Sequence, residues 1–513
     1  MAKSGSTKGG SWFNFLIIFI VALGSFTYGF NNAITGSVFG LPGFYSYFDL
    51  NAGDSSSNSI LGAANGVFFA GAMLGCLIAA WCADKLGRVR SLQVVCLLCL
   101  VGGILQGASV HVAMLLLGRV VTGLGSGMVN SVVPLYQSEI APPKIRGLMV
   151  GLHGTLLVAG YAMAGWAGYG CYFEPNQQIQ WRLLLALQVV TPAMLLVASP
   201  FLPESPRWLI ANGREELANT ILEKLHHSSG DVGDNSLAHR EFYQIKQQVE
   251  LERATPFGLL DFIRIPSYRR RLLVACGTQF IAQSTGTLVV ANYQVLLYNG
   301  LGLYGSLPLL LYSAYLSWAA FMNYVAALIV DRVGRVRMLA IGFVGCIITL
   351  SLFTAMVAEF AESENKVGQG FAVFFLFAFV GFYGGCVDAV SWIYCSEIFP
   401  THARARGFSI SVATFLGAAL VYTQVAPIAF AQVDWKFYLL FILVTAVGTP
   451  IFMHYSPETK GLALEEISEL FGDQVAVHLS NGEAESGPMQ EKSTQSSEKG
   501  LDRQHMESTS ASR

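Results

Sequence analysis

Charged residues are scarce. Asp, Glu, Lys and Arg make up 12% of the 513 residues while 53% are hydrophobic, and a soluble globular chain carries roughly a quarter charged. This excludes an ordinary water-soluble domain: the chain is built for lipid. Formal net charge is only −2, and no basic run interleaves with aromatics, so nothing calls for nucleic acid as a partner. The nine cysteines lie almost entirely inside apolar runs, where thiols behave as small hydrophobes, so neither a disulfide framework nor a metal set is implied. A P-loop, a metal-ligand cluster and a nucleophile motif are all missing, so neither catalysis nor a cofactor is expected. No N-x-Ser/Thr sequon is present to mark a face by glycosylation.

What the chain has in abundance is long apolar runs. A bilayer core needs roughly 20 mostly apolar residues per helix, and twelve such segments occur, at about 12–36, 60–82, 91–110, 113–135, 147–169, 182–202, 271–297, 306–330, 337–358, 371–395, 407–431 and 434–455. The first is too long for a signal-peptide core and lacks a small-residue cleavage pattern, so it reads as the first span. The expectation is an all-α membrane protein of twelve spans in two pseudo-symmetric six-helix bundles.

Lys and Arg alternate between loops. Lys85, Arg88 and Arg90 follow span 2, Lys144 and Arg146 follow span 4, Arg332, Arg335 and Arg337 follow span 8, and Arg404 and Arg406 follow span 10, whereas the loops after spans 1, 3 and 7 have none. By the positive-inside rule both termini are cytoplasmic. The expected organisation is a cytoplasmic N-terminus (1–11), a six-helix bundle (12–202), a cytoplasmic linker with short amphipathic helices (203–270), a second bundle (271–455) and a cytoplasmic tail (456–513). Past about 473 the tail is too polar to bury a core and reads as disordered.

Two motifs recur in matching places. DKLGRVRS at Asp84–Ser91 returns as DRVGRVRM at Asp331–Met338, each after the second span of its half. SEIAPPKIRG from Ser138 returns as SEIFPTHARARG from Ser396, each after the fourth, with Glu and Arg seven residues apart. Repeated halves place a substrate near the midplane between them, reached by rocking one half against the other. Asp84, Arg88, Glu139 and Arg146, with Asp331, Arg335, Glu397 and Arg404, suggest a latch whose acid–base pairs form when the cytoplasmic side closes and part when it opens. The plainer reading, that the charges only set topology, accounts poorly for the repeated spacing.

These residues resemble the sugar porter family of the major facilitator superfamily, particularly its fungal members. The likeness runs from about 25 to 470 and rests on GRVVTGLGSG from Gly118, PLYQSEIAP from Pro134, LPESPRW (Leu202–Trp208, with Glu204 and Arg207), WIYCSEIFP from Trp392 and PETKGLALEE from Pro457, with Glu458. The resemblance implies a central substrate site built largely from spans 1, 5, 7, 8, 10 and 11, plasma-membrane localisation and a small-molecule sugar or polyol as partner besides the bilayer.

Departures from the family pattern carry information. Asn31 stands where proton-coupled members have Asp, and an amide takes up no proton. Arg119, matching the Arg that partners that Asp, is kept and would bond Asn31 or a backbone carbonyl. This favours facilitated diffusion over proton symport. His153 is a candidate substrate contact on span 5, where Gly154 after it replaces a sugar-binding Gln; Leu288 replaces an Asn; Thr414 and Phe415 replace an Asn-Trp pair. On span 7, Gln279, Gln283 and Thr287 are spaced to share one helical face, and Gln283 matches a family glutamine.

A sugar needs amides that donate and accept, and an aromatic platform for its C–H face. Gln279, Gln283, Asn292, Asn323, Trp392 and Tyr298 are of those types, with packing the first reading for Asn323 and Tyr298. Asp388, four residues before Trp392 and so on its face, is an ionisable group deep in a span; it either bonds substrate hydroxyls, carries a proton or serves packing. Alternative readings are a proton symporter using Asp388, a carrier of a quinate-like acid or secondary metabolite, and a sugar sensor that does not transport.

Overall fold

The computed structural model describes residues 10–51, 54–140, 146–227, 236–254, 258–361, 363, 365–462, 467 and 469–472. The described residues are almost wholly helical, without strands. Lys144 lies outside them, as does the side chain of Arg146, and so does the tail beyond 472 that the sequence marks as disordered.

Ten runs are long and apolar enough to cross a membrane, and the last, Arg406–Tyr455, contains two helices. The helix Arg146–Tyr172 adds 27 residues, about 40 Å at a 1.5 Å rise. Twelve spans result: Gly10–Val38, Ser55–Leu86, Arg88–Gly107, Val112–Ile140, Arg146–Tyr172, Gln177–Leu187 with Val190–Ala198, Pro266–Ser284 with Thr287–Gly300, Leu307–Val333, Arg335–Phe360, Lys366–Phe382 continuing to Glu397, Thr401–Val433 and Phe437–Tyr455. The chain is an integral, multi-pass membrane protein.

Span 2 packs on span 11 and span 5 on span 8 as the main contacts between the first six spans and the last six. Exchanging the halves turns the first pair into the second, the signature of pseudo-twofold symmetry. Within the first half, span 2 meets span 4 through Gly71, Gly75, Gly123 and Gly127, each facing a backbone carbonyl so closely that a Cβ would collide with it. In lipid no hydrophobic force joins helices, so such close approach, with its dense van der Waals contact, is what binds them.

Three spans are interrupted: span 6 between Leu187 and Val190, and spans 7 and 10. Span 7 breaks at Gly286, whose φ of 84° only glycine adopts without strain. Thr287 therefore starts a new helix and does not continue the face of Gln279 and Gln283, contrary to the spacing argument. Span 10 contains a π-helical turn, Tyr383–Asp388, a feature frequent at functional sites.

The linker folds on one end of the first half, hereafter the linker end. Leu209, Ile210, Ile221 and Leu225 join a core with Val132, Val133, Tyr136 and Ile140 of span 4. The Tyr136 hydroxyl donates to the Pro203 carbonyl, and Lys246 pairs with Glu215 at 2.9 Å.

Gly127→Val should separate spans 2 and 4 and, with overpacking costing about 1–3 kcal/mol, should reduce the monodisperse fraction in detergent size-exclusion chromatography. Gly154→Ala, with nothing within 4 Å of its added Cβ, should elute as the unaltered protein does.

Candidate functional site

At the linker end the duplicated motifs build the same device twice. Arg88 donates from Nε and Nη2 to the two oxygens of Glu139, both at 2.8 Å, and Arg335 does the same to Glu397 at 3.1 and 2.9 Å. Asp84 and Asp331 approach these arginines from the solvent side, at 3.7 and 2.8 Å. Glu204 accepts from the Arg88 and Val89 amides, and Glu458 from those of Arg335, Val336 and Arg337. Each glutamate thus neutralises the exposed donors and positive dipole at the start of spans 3 and 9. Pro203-Glu204-Ser205 and Pro457-Glu458-Thr459 thus form a third matched pair, in equivalent places of the two halves.

The pairs the latch expectation named are formed, and each joins spans of the same half, 3 with 4 and 9 with 10. They brace each half as a rigid unit. Arg404 bonds the Phe399 carbonyl at 3.3 Å, again within its half; Arg207 is half-buried at the start of the linker helix Pro206–Ala211.

The opposite end is closed between the halves. The Tyr293 hydroxyl of span 7 donates toward the Leu61 carbonyl of span 2 at 3.3 Å and the Thr423 carbonyl at 2.7 Å, and its ring stacks on Phe39 with centroids 5.9 Å apart. Tyr312 of span 8 reaches the Ala33 carbonyl of span 1 at 2.9 Å. Beyond Tyr293 lies a pocket of about 580 Å³ lined by Phe39, Asn58, Asn299 and Asp434 among others.

Between the two ends the buried polar side chains collect. Gln279 and Gln283 are fully buried and none of their four amide atoms has a hydrogen-bond partner. Asn292 donates to the Leu288 carbonyl and leaves its own oxygen free. A buried amide without partners costs about 1–3 kcal/mol, so these groups suit a ligand rich in hydroxyls. Trp392 lies 5.8 Å from both Phe408 and Phe415, an aromatic wall on span 11.

Other candidates have different employment. His153, half-buried, has Nδ1 2.6 Å from Ser25 Oγ, joining spans 5 and 1. Asn31 donates to Ser126 at 3.2 Å. Arg119 takes the carbonyl option, donating to the Asn31 and Ala64 oxygens at 3.0 Å each, with Phe68 under its guanidinium at 4.3 Å. Tyr298 is buried and accepts from Gln294, a packing role. Asp388 accepts from Asn323 of span 8 at 3.0 Å, so it and Trp392, although four residues apart, meet different neighbours. Asn130, a buried amide with both polar atoms unpartnered, escaped the sequence reading. Its signal was the repeat itself: it precedes Ser138 by the same eight residues that separate Asp388 from Ser396.

The model of the family described as "Sugar (and other) transporter" matches residues 17–471. The chain belongs to this family. Among curated relatives, MFS-type transporter criB of Aspergillus cristatus is 32% identical, covering 90% of this chain and 94% of that protein. The high-affinity glucose transporter of Kluyveromyces lactis is 31% identical, covering 90% and 85%. A solved structure of the proton:xylose symporter XylE bound to 6-bromo-6-deoxy-D-glucose superposes with a TM-score of 0.75 at 23% identity, covering 90% of this chain and all of that one. That likeness concerns the fold, which is the major facilitator fold.

The side chains of Arg88 and Glu139 are 8% and 6% exposed, those of Arg335 and Glu397 12% and 25%. Breaking a buried pair by removing one partner costs about 3–5 kcal/mol, so Glu139→Gln should lower the melting temperature in detergent clearly, and Glu397→Gln less. Equal shifts would contradict this account of the two braces.

Proposed function

We propose that this transporter carries a sugar or polyol across the plasma membrane by alternating access, with the linker end and both termini cytoplasmic. The observation that carries the reading is the set of orphaned buried amide atoms of Gln279, Gln283 and Asn292, taken with the aromatic wall at Trp392. Hydroxyl groups that donate and accept would satisfy those amides, and a C–H face would rest on the indole. The glucose-transporting relative from Kluyveromyces lactis supports the same cargo class.

Facilitated diffusion is the mode this reading favours. Arg119 is partnered by two carbonyls and a ring, and Asn31 cannot change charge. The driving force is then the cargo's own gradient, with closure by Tyr293 and Tyr312 alternating with opening. The two braced halves would move as bodies about the contacts of spans 2 with 11 and 5 with 8.

The test is uptake of labelled glucose in cells lacking their own hexose carriers, with and without a protonophore. Saturable uptake that the protonophore leaves intact is expected, and Gln283→Ala should raise KM by about tenfold for the loss of hydrogen bonds worth about 1.4 kcal/mol. Uptake abolished by the protonophore would overturn the diffusion mode. No uptake of any neutral sugar would move the cargo to an acid or secondary metabolite, or the protein to a sensor. In the same cells Tyr293→Phe, which removes the hydroxyl from both carbonyls, should weaken closure and shift KM and kcat together.

A further inference from the structure

Spans 4 and 10 each carry Ser-Glu-Ile near the linker end, at Ser138–Ile140 and Ser396–Ile398, and eight residues before each serine stands a polar residue, Asn130 or Asp388. The pseudo-symmetry of the halves puts these two at equal depth, one from each half. Tyr28 of span 1 lies beside Asn130 and within electrostatic reach of Asp388. Tyr161 of span 5 and Tyr383 of span 10 are also within reach of that carboxylate. Asn32 donates to the Tyr161 hydroxyl at 3.1 Å, which holds that ring against span 1. The cluster thus straddles the boundary between the halves.

Its charge is unbalanced. Among the described residues, the groups that reach the Asp388 carboxylate are Asn323 and the three tyrosines; no cation does. One oxygen accepts from Asn323, and the other carries no hydrogen bond among the described residues. Asp388 is half-buried, while Asn130 is 1% exposed with both amide atoms unpartnered. An anion in a low-dielectric setting demands a counter-charge or a ligand that supplies one. The hydroxyls of a neutral sugar do not supply it. A primary ammonium does, and its N–H groups could be shared between the Asp388 carboxylate and the neighbouring Asn130 carbonyl.

We propose that Asp388 and Asn130 form a subsite for a protonated amine, so that the central site prefers a polyhydroxylated amine, an amino sugar being the simplest, over the neutral sugar of the same shape. This rests on the reading that the cargo is sugar-like, and it adds the charge of that cargo.

Full-length protein purified in detergent is titrated with glucosamine, glucose and N-acetylglucosamine, following its thermal transition, and the same three compete for uptake in carrier-deficient cells. Glucosamine should bind at least about tenfold more tightly than glucose, the value of one charge-assisted contact, and N-acetylglucosamine, its amine neutralised, should lose that advantage. Asp388→Asn should erase the preference for glucosamine over glucose, and Asp388→Glu should retain part of it; the transition without ligand reports whether each variant is folded. Equal affinity for glucosamine and glucose in the unaltered protein, a comparison that needs no variant, overturns the proposal. So does an Asp388→Asn protein that loses both sugars alike, or one in which protonophore-sensitive glucose uptake becomes insensitive, since that marks a proton carrier. Glucose bound and moved without amine preference defeats this inference alone, whereas failure of every sugar defeats the cargo reading beneath it.

Discussion

Inside a lipid-embedded bundle a polar side chain has no water to fall back on, so it must find its partner within the protein or in what the protein carries. That constraint sorts the polar residues of this chain. Arg88 with Glu139, Arg335 with Glu397, and Glu204 and Glu458 on the helix starts are satisfied by protein and hold each half rigid. Gln279, Gln283 and Asn130 are left unsatisfied where the halves meet. The first group braces the halves; the second is where the proposed cargo would find its partners.

Rigidity and movement therefore come from different chemistry. Within the first half, glycines bring spans 2 and 4 so close that side chains cannot intervene, and a packed interface of that kind does not deform gradually. Between the halves at the closed end, contact is by tyrosine hydroxyls on carbonyl oxygens, Tyr293 to Leu61 and Tyr312 to Ala33. Single neutral hydrogen bonds are worth about 1 kcal/mol net each. Contacts of that size can be exchanged for others during a transport cycle, whereas charge-assisted, partly buried braces cannot be broken so cheaply.

Much of this was legible beforehand. Twelve apolar runs and alternating basic loops are long, strong signals because the bilayer imposes them on the whole segment. The duplicated motifs marked the four braced charges, yet spacing alone could not say whether Arg88 and Arg335 would pair within a half or across the boundary, since both arrangements satisfy the same residues. The break at Gly286 is decided by local backbone geometry, which moved Thr287 off the glutamine face; the π turn ending at Asp388 was equally invisible in the spacing. The bond that ties His153 to Ser25 of span 1 joins residues 128 apart, which no local spacing could show. Asn130 carried no charge to draw notice; only the repeat pointed to it.

The central claim is that two rigid halves expose one internal sugar site to each side in turn. Counterflow in liposomes reconstituted with the full chain tests it most directly. With unlabelled glucose loaded inside and a trace of labelled glucose outside, the account predicts transient accumulation of label above its equilibrium level, without any ion gradient. Label that only equilibrates, at a rate indifferent to the internal sugar, would contradict a single alternating site.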